Sequence, residues 1–222
     1  MGPREGCHAI RWGARRGGDV LDGTTRPLVA PLLEGLAARV DRPVVTPDRV
    51  TLLGLALGLG SAAAAASALW VPALALWLLS RVADGLDGVL ARRRAAAGEP
   101  PSAAGGYLDI TADFLVYGAT VAGVAIGWGG SLLPFVAVLV AYYLNGATFL
   151  AFSSLAERTG RRLDDGRSLS FLGGLAEGTE TVLVHSLWLL LPGHAGTIAW
   201  VWAAVVGVSG LQRMVAGYLA LR

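Results

Sequence analysis

Three stretches of the chain contain no Asp, Glu, Arg or Lys: Val50 to Ser80, Phe114 to Ala156 and Thr181 to Gln212. An ionised side chain at the centre of a bilayer costs ~2.5 kcal/mol or more, so long charge-free runs mark membrane spans. Each run exceeds the roughly 20 residues that one span needs, and each is interrupted near its middle by a turn signal. The interruptions are Trp70-Val71-Pro72, Gly127-Trp128-Gly129-Gly130 and Leu191-Pro192-Gly193-His194. Three helical hairpins are therefore expected, giving an all-α polytopic membrane protein with six transmembrane helices.

Composition points the same way. Of 222 residues, 54% are hydrophobic and 15% charged, which argues against a soluble globular enzyme. A net charge of +2 is too small for a nucleic-acid binder. Cys7 is the sole cysteine, and His8, His185 and His194 are widely scattered, so neither a disulfide framework nor a thiolate or histidine metal centre is expected.

All basic charge is arginine. Nearly all of it falls in the N-terminal segment, at Arg92-Arg93-Arg94, at Arg158, Arg161, Arg162 and Arg167, and at Arg222, whereas the hairpin interruptions carry none. By the positive-inside rule, both termini and the two Arg-bearing connections face the cytoplasm in a multi-pass protein of the cell membrane. Residues 1–24 are polar and glycine-rich and are expected to be disordered, leaving 25–222 as the membrane domain. From Thr25, the residues Leu28, Leu32, Leu33, Leu36, Ala37 and Val40 recur at helical spacing, which predicts an N-terminal amphipathic interfacial helix. Thr46-Pro47-Asp48 has the signature of a helix start. Trp70, Trp128 and Trp188 suit interfacial belts, and packing serves Trp188 equally well.

The first charge-free run is about ten residues too short for two complete spans, so the second helix must run on through Arg81 to Arg92. Asp84 and Asp87, three apart, then share a helix face, as do Asp109 and Asp113, four apart on the next helix. Acids at a helix start complement the helix dipole, which accounts for Asp109 and Asp113 but fails for Asp84 and Asp87 near the other end of theirs. Two antiparallel neighbours would bring four carboxylates to one cytoplasmic depth, where they repel unless cations lie between them. One or two oxygen-bound divalent ions, Mg²⁺ or Mn²⁺, are the economical answer. Small residues Gly85, Gly88 and Ala91 bare the helix face beside the acids, and Arg92 can pair with a phosphate. Together these features suggest phosphoryl transfer on a lipid-linked diphosphate.

Written as a pattern, Asp84-x2-Asp87-Gly88-x2-Ala91-Arg92, a gap, then Gly105-x3-Asp109-x3-Asp113 closely resembles the signature of the CDP-alcohol phosphatidyltransferases. The resemblance extends over roughly residues 25 to 222 and includes Thr46-Pro47-Asp48-x2-Thr51, and residues 177 to 181 look like a feature of a less characterised bacterial branch. It implies that a CDP-linked donor such as CDP-diacylglycerol delivers a phosphatidyl group to an alcohol acceptor with release of CMP. Asp84, Asp87, Asp109 and Asp113 would hold two divalent ions, with Asp113 also the general base. Asp87, Gly88, Ala91, Arg92, Gly105 and Thr51 would line the donor pocket, and a homodimer is suggested. The connection from Arg93 to Ala104 is longer than the family's usual one.

Other features have plainer readings. Glu177 and Glu180 either complement a helix dipole or face the acceptor. Arg158, Arg161, Arg162 and Arg167 either set topology or attract an anionic lipid or acceptor phosphate. Arg213 is a candidate charge partner for the acids, Gly54 and Gly58 suit helix packing or dimerisation, and His185 suits a hydrogen-bonded packing role. Two other functions compete with the transferase: a divalent-cation transporter, and a catalytically silent membrane scaffold. The acids' placement at a helix end and the lack of an inverted repeat weigh against transport. The residues do not specify the acceptor alcohol.

Overall fold

The computed structural model describes residues 22–159 and 178–222, with side chains from residue 29 onward. All regular structure among these residues is helical: α1 Asp22–Val40, α2 Pro47–Ala66, α3 Trp70–Ala96, α4 Ala103–Trp128, α5 Leu133–Arg158, α6 Gly178–Leu190 and α7 Ala195–Leu221. Pro192–His194 forms a 3-10 turn between the last two. Arg161, Arg162, Arg167 and Glu177 lie outside the described residues.

Four helical segments are long and apolar enough to cross a membrane: Pro47–Ala66, Ala103–Trp128, Leu133–Arg158 and Pro192–Leu221. Helix α3 has the length, at 27 residues, but carries Arg81, Asp84 and Asp87 in its middle. The described part of α6 is only 13 residues long. The protein is thus a multi-pass helical membrane protein with four clear spans.

Two interruptions fall where the sequence places them. Gly129 closes α4 in the left-handed region at φ 72°, and Pro192 opens the 3-10 turn. The first differs: the chain reverses over Ser67–Leu69, with Ala68 at φ 56°, and Trp70-Val71-Pro72 already opens α3. Proline is tolerated there because the first helical turn has no intrahelical use for its missing N–H. At α2, Thr46 is the N-cap and accepts from the Arg49 N–H at 3.3 Å, with Pro47 at the first helical position.

Helix α1 begins three residues before Thr25. It docks on the protein: Ala37 is buried, Leu33 and Val40 pack with Val50, Ala83, Val89 and Leu90, and Leu32 stays 66% exposed. The apolar face expected to lie on the membrane is therefore partly spent on α3. Arg93 and Arg94, expected as topology signals, also secure this contact. Arg93 lies 3.6 Å from Asp41, and Arg94 donates to the carbonyls of Arg42 and Val45 at 3.1 and 2.8 Å.

Helix α2 packs against both α3 and α4, α5 packs against α7, and α6 reaches α3. Glycines set the closest approaches. A Cβ on Gly58 would stand 2.6 Å from both Val116 methyls, and one on Gly54 would meet Ala83 at 3.3 Å. The Gly54-x3-Gly58 pair thus serves packing within the bundle. A large core lies around Trp77, Trp188, Phe135 and Val206, and Trp188 is fully buried, so packing is its role.

Candidate active site

Because α2 lies between α3 and α4, the two acidic pairs do not face each other across a bare helix–helix contact. Three of the four acids, Asp84, Asp87 and Asp113, line a cleft over the N-terminal half of α2. Thr51, Gly54 and Leu55 form the floor of a small cleft, with Arg81, Asp84 and Asp87 on one wall and Ala112, Asp113 and Val116 on the other. Its volume, open mouth included, is about 190 Å³. The i, i+3 spacing on α3 brings Asp84 and Asp87 to one side, as the sequence indicates.

Asp87 is the most buried acid, 4% exposed, and accepts a hydrogen bond from the Thr51 hydroxyl at 2.5 Å. A buried carboxylate with a hydroxyl donor is held in one orientation, which a binding site requires. Asp84 and Asp113 are each about a third exposed toward the cleft. Asp109, one turn earlier on α4, is not part of the cleft wall but lies within Coulombic reach of Asp87 and Asp113.

Arg81 was not singled out by sequence reasoning. Its Nη1 donates to Asp113 Oδ1 at 2.7 Å and lies 3.8 Å from Asp84 Oδ1. It also donates to the Tyr117 hydroxyl at 3.2 Å, and Nη2 donates to Ser80 Oγ at 3.0 Å. The guanidinium carbon stands 5.0 Å from the ring centres of both Trp77 and Tyr117, and the side chain is 9% exposed. The charge partner expected in Arg213 is thus Arg81; Arg213 instead donates to Asn145 at 3.1 Å. The available signal was spacing, since an arginine three residues before Asp84 on one helix shares its face.

The remaining motif residues, Gly88, Ala91, Arg92 and Gly105, lie outside the lining of the cleft. Arg92 is exposed, and its Nη1 lies 3.3 Å from where a Cβ on Gly88 would stand, so glycine leaves room for the guanidinium. Ala91 is exposed. A Cβ on Gly105 would come within 2.9 Å of Asp48 Oδ1, so Gly105 lets the starts of α4 and α2 approach. Much of the long connection after Arg92 is helix, leaving only residues 97–102 as loop.

The donor set, carboxylates plus a hydroxyl, suits a hard divalent cation. As they stand, however, no three acids among the described residues are close enough to hold one ion. Arg81 occupies the space between two of them. His185 is buried as expected, with Nε2 2.8 Å from the Tyr142 hydroxyl and its ring stacked on Trp77 at 4.8 Å.

A helical membrane bundle with a carboxylate-lined cleft in the charged part of its helices fits a membrane protein that handles cations or polar head groups. Sequence comparison gives the family. The model of the CDP-alcohol phosphatidyltransferases matches residues 44–209. The chain is 36% identical over 217 residues to the inner membrane protein YnjF of Escherichia coli strain K12, covering 91% of this chain and 98% of that one. It is 30% identical over 202 residues to the phosphatidylinositol phosphate synthase of Mycobacteroides abscessus, covering 86% and 85%. In fold it resembles the phosphatidylinositol phosphate synthase of Mycobacterium tuberculosis solved with CDP-DAG, with a TM-score of 0.65, 20% identity and coverage of 85% and 94%. The same enzyme in complex with manganese and citrate gives a TM-score of 0.64, 21% identity and coverage of 84% and 88%. The chain belongs to the CDP-alcohol phosphatidyltransferase family. It is a transferase of phospholipid biosynthesis, moving a phosphatidyl group from a CDP-linked donor to an alcohol.

Proposed function

We propose that the chain spans the cell membrane six times, with both termini and the acid cleft on the cytoplasmic side, and uses CDP-diacylglycerol as donor. Helix α3 supplies a fifth span whose charged half lines the cleft, and α6 a sixth. The observation that carries the reading is the cleft itself, in which Asp84, Asp87 and Asp113 from two helices meet beside Thr51. The likeness in fold to an enzyme solved with CDP-DAG and with manganese supports the donor and a divalent ion.

Asp84, Asp87 and Asp113, with Asp109 adjacent, would hold one or two Mg²⁺ or Mn²⁺ ions. A bound divalent ion neutralises the diphosphate and stabilises the departing CMP. The chain's own groups do the rest. Arg81 fixes Asp113 by Oδ1, leaving Oδ2 to accept the proton of the acceptor hydroxyl. The freed alkoxide oxygen forms the new bond to the phosphorus that bears diacylglycerol, and the bond from that phosphorus to the bridging oxygen of CMP breaks. Thr51 holds Asp87 against the cleft wall, and Gly88, Ala91, Arg92 and Gly105 contact cytidine and its phosphates. A second copy of the chain as partner belongs to the same reading.

The test is CMP release from CDP-diacylglycerol by detergent-purified protein, with each acceptor alcohol supplied in turn. Relatives named for phosphatidylinositol phosphate make an inositol phosphate the first acceptor to try. Chelation should abolish release, added Mg²⁺ or Mn²⁺ should restore it, and Asp113→Asn should lower it at least ~100-fold. Metal-dependent ion flux without CMP would instead support transport.

A further inference from the structure

We propose that Arg81 is a resident counter-cation of the acid cleft: it occupies the charge position between Asp84 and Asp113 before a divalent ion arrives, and so weakens the cleft's intrinsic hold on that ion. The inference rests on the metal reading above. Its geometric basis is independent of that reading. Carboxylates held together at the edge of a membrane repel one another, and a chain that folds before it is loaded needs an internal cation to keep them in place. Arg81 Nη1 meets that need at 2.7 Å from Asp113 and 3.8 Å from Asp84.

The guanidinium is also not free to leave. Trp77 and Tyr117 each stand 5.0 Å from it. Ser80 accepts its second nitrogen at 3.0 Å and itself donates to the Gly54 carbonyl at 2.8 Å, which ties the arginine to the floor of the cleft. Trp77 is fully buried and is held in turn by Ser186, which accepts from its indole N–H at 3.2 Å. A divalent ion entering beside Asp84 and Asp113 therefore meets a fixed positive charge a few ångströms away, in a setting where water screens poorly. The consequence is ordered loading. The acids alone bind the ion weakly, and the anionic diphosphate adds the negative charge that retains it.

The experiment is titration of detergent-purified protein with Mn²⁺, without nucleotide, following free Mn²⁺ by its electron paramagnetic resonance signal. Arg81→Gln is expected to bind Mn²⁺ on the order of tenfold more tightly than the wild type. Arg81→Lys keeps the charge and is expected to stay near the wild-type affinity. Equal or weaker binding by Arg81→Gln overturns the proposal, as does tighter binding by Arg81→Lys equal to that of Arg81→Gln. If neither wild type nor Arg81→Gln binds Mn²⁺, the metal reading itself falls, a different result from equal affinities. Should Arg81→Gln fail to fold, Arg81→Met, whose stem still fills the space between the two rings, carries the same titration. Recovery of either variant only when Mn²⁺ is present during extraction supports the proposal. Failure of both even then overturns it, because the ion would not have replaced the lost charge.

Discussion

The hydroxyl of Thr51 on α2 lies 2.5 Å from a carboxylate oxygen of Asp87 on α3, 36 residues further along the chain. The contact links the floor of the cleft to its most buried acid, which is only 4% exposed. A hydrogen bond to a charged group is worth about 1.5–3 kcal/mol, so Thr51→Val, which keeps shape and loses the donor, leaves Asp87 poorly oriented. The initial rate of CMP release should fall about tenfold to a hundredfold. Thr51→Ser should retain most of the rate; an unchanged rate in Thr51→Val would remove Thr51 from the site.

Two glycines on the α2–α4 contact should respond differently to alanine. The Cβ of Gly58→Ala would press on the Val116 side chain at 2.6 Å, and a side chain can shift or be shortened. That of Gly127→Ala would fall 1.9 Å from the backbone carbonyl oxygen of Ala65, which has no such freedom. Overpacking of this kind costs about 1–3 kcal/mol and occasionally more. Thermal unfolding in detergent should show Gly58→Ala destabilised and largely recovered by adding Val116→Ala. Gly127→Ala should be more damaging, with no single side-chain partner that restores it.

Tyr142 joins two buried groups: its hydroxyl accepts from the Trp202 indole at 2.7 Å and pairs with His185 Nε2 at 2.8 Å. Tyr142→Phe removes both contacts at almost constant volume. Polar contacts of this kind between membrane helices average about 0.6 kcal/mol, so two should amount to about 1 kcal/mol. The melting temperature should drop by a few degrees, while the donor KM stays near wild type because Tyr142 is not part of the cleft wall. A large KM change would place Tyr142 in the transfer chemistry.

The sequence carried the helices because charge is excluded from lipid, and it carried the acids because period 3.6 fixes which residues share a face. The sequence groups four acids, of which Asp84, Asp87 and Asp113 line the cleft and Asp109 does not, and it carries α3 through Arg92, as the helix does. What spacing along single helices does not encode is which helix stands between two others. That α2 supplies the floor of the cleft depends on Gly54, Gly58, Gly123 and Gly127 meeting backbone and side chains far away in the chain. Arg81 was obscured for a related reason: an arginine in a span reads as a cost until the acids it serves are seen around it. Arg213 carries the same cost in its span, yet it donates to Asn145 on α5. The docking of α1 was half legible, since helical periodicity gives an apolar face but not whether lipid or protein covers it.

Arg92, Arg93 and Arg94 are consecutive, yet the helix turns each in a different direction. Arg94 is bound into the α1–α2 connection through the carbonyls of Arg42 and Val45, and Arg93 faces Glu34 and Asp41. Arg92 is exposed and lies over Gly88, one residue after Asp87 of the cleft wall. Arg94→Ala should therefore lower the melting temperature and speed protease cleavage near residues 41–46, with little effect on the donor KM. Arg92→Ala should leave the melting temperature unchanged and raise the KM for CDP-diacylglycerol about tenfold, the loss of roughly 1.4 kcal/mol of phosphate binding. Arg92→Lys should recover part of that loss, since an ammonium keeps the charge but not the two-pronged geometry. The reverse pattern, a KM effect confined to Arg94, would move the phosphate contact from Arg92 to the α1 side of α3.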